Sequence, residues 1–179
     1  MSDESARAAL RARQGAGARY DASAAPAEAL LTARRGTSYF ARKLNELPDG
    51  ALDGPSRCEG WSRRHLVAHM GYRARALARL VEAVRTGQGA SKADTLEVEV
   101  AQGKTLQARA LRSLFHHASI HLDVEWRDLT DADWDNCVSL GDGREVALSD
   151  TPLLWAREVW RGAVDLGNGG RAADLPKGL

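Results

Sequence analysis

The chain has 179 residues, 44% hydrophobic and 27% charged, a composition that suits one globular domain and excludes a disordered one. Its apolar runs are only a few residues long, too short to span a bilayer. With 25 basic and 24 acidic residues the formal net charge is +1, so no basic field is available to hold nucleic acid.

Cys58 and Cys137 are too few for a disulfide framework or a thiolate zinc site, and a reducing cytoplasm is the expected compartment. Residues 1–25 are biased to Ala, Arg, Ser and Gly without an apolar stripe and read as a flexible tail. Acids at Asp3 and Glu4, and no apolar core segment, argue against a secretory signal there.

A first helix is expected over residues 26–47. Leu30, Ala33, Thr37, Phe40, Leu44 and Leu47 recur at alternating three and four, which makes one buried face. Pro26 suits the first turn, and Pro48-Asp49-Gly50 supplies the stop. The loop from Asp49 to Trp61 is rich in Gly, Pro, Ser and Asp. A second helix follows, from an N-cap at Ser62 to Thr86, with Gly87 as its C-terminal stop. Its inward positions read Leu66, His69, Met70, Leu77, Leu80, Val81 and Val84.

The polar connection that follows is long for a bundle and has room for a short helix around Lys92–Ala101. A third long helix, from about Thr105 to Asp128, aligns Leu111, Phe115, Ala118, Leu122 and Trp126. The period then changes to that of a small β-hairpin, Cys137–Leu140 and Arg144–Leu148 around a glycine-bearing turn. The last helix opens at Thr151-Pro152 and ends before Gly167. The predicted architecture is therefore all-α, a four-helix bundle over residues 26–170 with a β-hairpin before the last helix and a short tail at 171–179.

Two polar residues stand where the helical period wants apolar ones. His65 and His69 share a face of the second helix, and such a pair is either structural or a metal pair. It lacks the adjacent glutamate of the metalloprotease signature. Glu158, on the inward side of the last helix, must be paired, protonated or metal-bound, because burying a lone carboxylate is costly. Its ion-pair candidates are Arg157, Arg161 or an arginine on the second helix. His117 and His121, again one turn apart, lie beside the apolar stripe of the third helix and read as solvated or half-buried. Trp61, at the mouth of the second helix, is a candidate pocket wall, whereas Trp126, Trp134, Trp155 and Trp160 read as core anchors. No phosphate-binding glycine loop and no serine elbow is present.

Several of these pieces come in a recognisable order. Pro55-Ser-Arg-Cys-Glu-Gly-Trp-Ser-Arg-Arg-His-Leu-Val-Ala-His69 is followed by Trp134 before the hairpin. Arg157-Glu-Val-Trp-Arg-Gly-Ala-Val-Asp-Leu-Gly167 comes last, and Arg35-Gly-Thr-Ser-Tyr39 and His121-Leu-Asp-Val-Glu-Trp126 are looser echoes. Together they resemble the N-terminal domain of the mycothiol-dependent maleylpyruvate isomerases over roughly residues 28–176.

That resemblance implies a DinB-like bundle holding a divalent metal, usually zinc, through three side chains. Two of them match His69 and Glu158. The third, a histidine one turn after the glutamate, falls on Gly162, a vacant third-ligand position. Three outcomes are then open. His117 or His121 substitutes as the third ligand, a thiol co-substrate completes the shell, or the site carries no metal and Arg161 pairs with Glu158.

The resemblance further implies mycothiol as thiol cofactor and a small-molecule substrate, with no nucleic-acid or membrane partner. The implied reaction is cis–trans isomerisation of maleylpyruvate to fumarylpyruvate by thiol addition. The alternatives are a mycothiol S-transferase acting on another electrophile, and a metal-free bundle serving as a binding or regulatory module. Family members carry a further C-terminal domain that lends an arginine to the active site, and that domain is expected to be absent from a chain ending at Leu179.

Overall fold

Each apolar stripe read from the sequence becomes a helix packed on the others. The computed structural model describes residues 20–88, 96–140 and 142–179. Its helices are α1 (Ala27–Asn45), α2 (Arg63–Thr86), α3 (Leu96–Gly103), α4 (Ala108–Asp128) and α5 (Thr151–Asp165). A hairpin of β1 (Cys137–Ser139) and β2 (Glu145–Ala147) precedes α5, with Cys137 opposite Ala147 and Ser139 opposite Glu145. Of the expected tail, residues 1–19 lie outside the described residues. Ser23 Oγ and Ala24 N both donate to Asp131 and Asp21 pairs with Arg34, so the chain is anchored to the bundle before Pro26.

Side-chain pairings set the helix directions. Arg85 meets Glu125, and Gly71 abuts Leu114, so α2 and α4 run parallel. Gly36 abuts Val159 and Trp160, and Asn168 reaches Lys43, so α1 and α5 also run parallel. The two pairs oppose each other: Phe40 packs on Phe115 at 4.6 Å, Arg34 bonds Asp123, and Arg112 donates to the Leu44 carbonyl. Parallel neighbours need a crossover, and the short α3 lies on the one joining α2 to α4. A short helix was expected over Lys92–Ala101. It is observed at Leu96–Gly103, and residues 89–95 lie outside the described residues.

The core is where the periodicity placed it. Leu30, Ala33, Phe40 and Leu44 of α1 are buried, as are Leu66, Met70, Leu77 and Val81 of α2 and the whole predicted stripe of α4. Leu80 and Val84 are only half-buried. Three of the four core tryptophans find an acceptor for the indole N–H, whereas Trp134 Nε1 is buried without one among the described residues. Trp126 donates to Thr151 Oγ1 (3.1 Å), Trp155 to Thr37 Oγ1 (2.9 Å) and Trp160 to the Thr32 carbonyl (3.0 Å). Thr37, counted in the apolar stripe of α1, thus serves as a hydrogen-bond acceptor. Gly36 makes room for side chains of α5, since a Cβ there would lie 2.6 Å from Trp160 Cδ1. Among the described residues, no helix is long and apolar enough to cross a membrane.

Candidate functional site

The loop before α2 builds one wall of the site. A bridge between Pro55 and Ser62, with Ser56 N bonded to the Trp61 carbonyl at 2.9 Å, folds residues 55–62 into a closed turn, and Gly60 takes the positive φ (74°) this needs. Ser62 caps α2, its Oγ accepting from His65 N at 3.1 Å. Trp61 is thereby held over the first turns of the helix. Its ring stacks on His65 (4.1 Å between centroids, 6° between planes) and tilts against His69 at 5.1 Å.

Arg63 sets the register of α2 against α5. Its Nε donates to the Leu166 carbonyl at 2.9 Å and its Nη1 to the Ala51 carbonyl at 3.0 Å. A guanidinium at the end of α5 also faces the negative end of that helix dipole. Arg57 N adds a 2.7 Å bond to the Asp165 carbonyl. With this antiparallel pair locked at one end, the face of α2 that carries His69 and Arg73 is brought against Glu158 of α5.

Glu158 is the charged hub. Arg73 grips it with two nitrogens, Nε to Oε2 and Nη2 to Oε1, each at 2.9 Å. This is the fork geometry in which guanidinium and carboxylate match best. Of the ion-pair candidates weighed from the sequence, the arginine on the second helix is the partner. Arg161, also considered, is exposed. His69 lies close enough to feel both charges. Burial pushes its pKa below the ordinary histidine value, Glu158 opposes that shift, and Arg73 and His65 reinforce it. The imidazole is therefore neutral near pH 7, with a lone pair to offer. Burial and the Lys104 charge lower His65 in the same direction.

The third-ligand position is filled by hydrocarbon. Gly162 is buried one turn beyond Glu158, and a Cβ there would lie 3.2 Å from Met70 Sδ and 3.4 Å from Phe40 Cε2. The suggested substitutes are elsewhere. His117 is exposed, with Nδ1 at 3.2 Å from Ser113 Oγ, and His121 Nε2 lies 3.3 Å from Glu125 Oε1. Neither joins His69 and Glu158. Among the described residues, the one group of three His, Cys, Asp or Glu ligand atoms within mutual reach is Glu82, His121 and Glu125. A resident ion at the His69 end would have two donors, one already clamped by a cation, where a catalytic zinc site uses three. The residues present do not fit a three-ligand metal centre there.

Arg73 was only loosely legible, as one of several arginines on α2. Its signal is position, one turn past His69 on the same face. Glu125 was missed as a buried carboxylate, although it stands one turn past His121 and next to the core residue Trp126.

An all-helical bundle whose second helix sets a histidine beside a glutamate of the last, with a hairpin between third and fourth long helices, defines the DinB-like class. Within that class, the chain belongs to the family of the mycothiol maleylpyruvate isomerase N-terminal domain, whose family model matches residues 33–167. Two solved structures are similar to it: the mycothiol-dependent maleylpyruvate isomerase at 38% identity, and a histidine-to-alanine mutant of that enzyme at 37%. Both superpose with a TM-score of 0.80 over 84% of this chain. The matched part is 64% of each of those chains, so this chain spans less than two thirds of their length. No curated protein sequence matches it.

Proposed function

We propose that the chain is the bundle portion of a mycothiol-dependent isomerase-type protein, taking a low-molecular-weight thiol and a small electrophilic substrate beside His69 and Glu158. The supporting observation is the neutral, half-buried His69 set between the Trp61 ring and the Arg73–Glu158 pair, within a domain of this family. The reference reaction is maleylpyruvate to fumarylpyruvate. The thiol sulfur adds to one carbon of the cis double bond, the resulting single bond rotates, and expulsion of the same thiol restores the double bond in trans. His69 is suited to accept the thiol proton and return it, which leaves the reaction balanced. The Trp61 ring, stacked on His65 and tilted against His69, offers the aromatic surface for a substrate in this reading. No step is routed through a metal, because the donor set lacks its third member. Use of a low-molecular-weight thiol as co-substrate supports the reducing cytoplasm as its compartment in this reading.

A second reading, a metal-free binding or regulatory module, is favoured by the Met70 packing at Gly162 and the arginine clamp on Glu158. The deciding experiment is thiol-dependent isomerisation of maleylpyruvate by the purified chain, with metal content measured in parallel on wild type, His69→Ala and Glu158→Ala. Mycothiol-dependent turnover that His69→Ala abolishes supports the first reading. Saturable mycothiol binding without turnover, with or without added zinc, overturns it in favour of the module. Formation of a stable thiol conjugate with another electrophile assigns an S-transferase instead. A protein that retains metal in wild type and loses it in both variants restores a His69–Glu158 ion to the mechanism.

A further inference from the structure

The ligand-type cluster on α2 and α4 lies away from the family site. Glu82 is displaced from His69 by about 20 Å of helix rise along α2. We propose that Glu82, His121 and Glu125 form a site for one divalent first-row transition-metal ion of the zinc class, independent of whatever binds at His69.

The geometry carries the proposal. His121 and Glu125 are one turn apart on α4, and Glu82 reaches them from the parallel helix α2. One ligand atom from each lies within 4.8 Å of the other two. His121 Nε2 and Glu125 Oε1 are already 3.3 Å apart, about the spacing of two donors that share an ion at bond lengths near 2.1 Å. A rotation of the half-buried Glu82 side chain closes the remainder. One imidazole with two carboxylates is a donor set for zinc and its first-row neighbours. Calcium and magnesium prefer all-oxygen shells.

Arg85 is the resident cation, and it leaves the site usable. Its shorter bond, Nε to Glu125 Oε2 at 2.7 Å, uses the oxygen turned away from His121, whereas Nη2 approaches Oε1 only to 3.3 Å. An ion bound through Oε1 keeps the Oε2–Arg85 bond, and Arg85 then orients the ligand from behind, as outer-shell partners of metal sites do. Glu82 and Glu125 together exceed the Arg85 charge by one, and Glu82 and Asp128 also act on that guanidinium. Asp128 has Arg127 at 3.4 Å. Glu125 is buried and fixed, and His121 is 42% exposed at the side chain, so the ion has both a rigid ligand and an entrance.

The test is calorimetric titration of the chelator-stripped full chain with zinc, and with cobalt read by its visible absorption. The set comprises wild type, Glu82→Gln, His121→Ala, His117→Ala, His69→Ala and Glu158→Gln. Glu125→Gln is avoided because it strips Arg85 of its partner inside the bundle. Circular dichroism checks that each variant is folded. One ion per chain is expected, with affinity falling about tenfold or more in Glu82→Gln and in His121→Ala and unchanged in the others. Zinc binding that survives both variants overturns the proposal. So does loss in His117→Ala, which marks surface histidines, or loss only in His69→Ala and Glu158→Gln, which moves the ion to the other end. Absence of saturable binding in wild type overturns it as well.

Discussion

Arg73 of α2 holds both carboxylate oxygens of Glu158 of α5, each at 2.9 Å, and so joins the two helices that carry the candidate site. The side chains are 22% and 32% exposed, so water screens the pair in part and its worth lies below that of a fully buried bridge. Arg73→Met removes the cation and leaves a half-buried carboxylate without its fork. A loss of about 1–2 kcal/mol is expected. The double variant with Glu158→Gln should recover part of it, giving a coupling of about 1 kcal/mol in a urea double-mutant cycle. Strict additivity of the two single losses would show that the fork contributes nothing to stability.

The bundle was legible because four long apolar stripes followed one another, three of them bounded by stops or caps readable in the sequence. Ser62 and Gly87 bracket α2 as read, the glycine with a φ of 66°. The site was legible only as candidates. Periodicity marked His69 and Glu158 as polar residues on inward faces, but which cation meets Glu158 depends on the antiparallel register that Arg63 and Arg57 impose between distant segments. The same holds for His121: its neighbour Glu82 becomes visible only once α2 and α4 are known to run parallel. Local spacing carries no information on either pairing.

Gly162 tests whether hydrocarbon has closed the third-ligand position. A methyl group there meets Met70 Sδ at 3.2 Å, a contact the unbranched thioether can relieve by a small rotation. Alanine also removes the helix cost of glycine, about 1 kcal/mol. Gly162→Ala should therefore leave stability unchanged or raise it slightly in thermal melts. Gly162→His overfills the same space and should lose about 1–3 kcal/mol. Met70→Ala in the same chain should restore part of that loss. A histidine tolerated with Met70 intact would mean the space is open.

Gly36 should behave differently, because its neighbours cannot step aside. A Cβ there would lie 2.7 Å from Trp160 Nε1 and 2.7 Å from Val159 Cγ1, and Trp160 is tied by its indole bond to the Thr32 carbonyl. Gly36→Ala forces α1 and α5 apart, at about 1–3 kcal/mol despite the gain in helix propensity. The check is the sign of the difference between Gly36→Ala and Gly162→Ala. Equal effects would deny that Trp160 and Val159 leave no room for a side chain at Gly36.

The histidines at the site predict the pH dependence of stability. Burial lowers the pKa of His69 from its ordinary value of 6.5, and His65 is lowered for the same leading reason. Between each folded value and 6.5 the unfolded chain binds a proton that the folded chain refuses, so stability rises with pH across that window. The contribution is complete above 6.5 and is lost as the pH falls below it. Carboxylates held low act in a separate range. Asp174, brought down to about 2 by Arg171 and Tyr39, gives up its contribution only below its unfolded value of 3.8. A decline in melting temperature that sets in as the pH falls below 6.5, above the carboxylate range, thus belongs to the histidines. His69→Gln, which cannot take up a proton, should flatten that decline, and His65→Gln should flatten it further. A wild-type slope that persists in the double variant would show that neither imidazole is held neutral by burial.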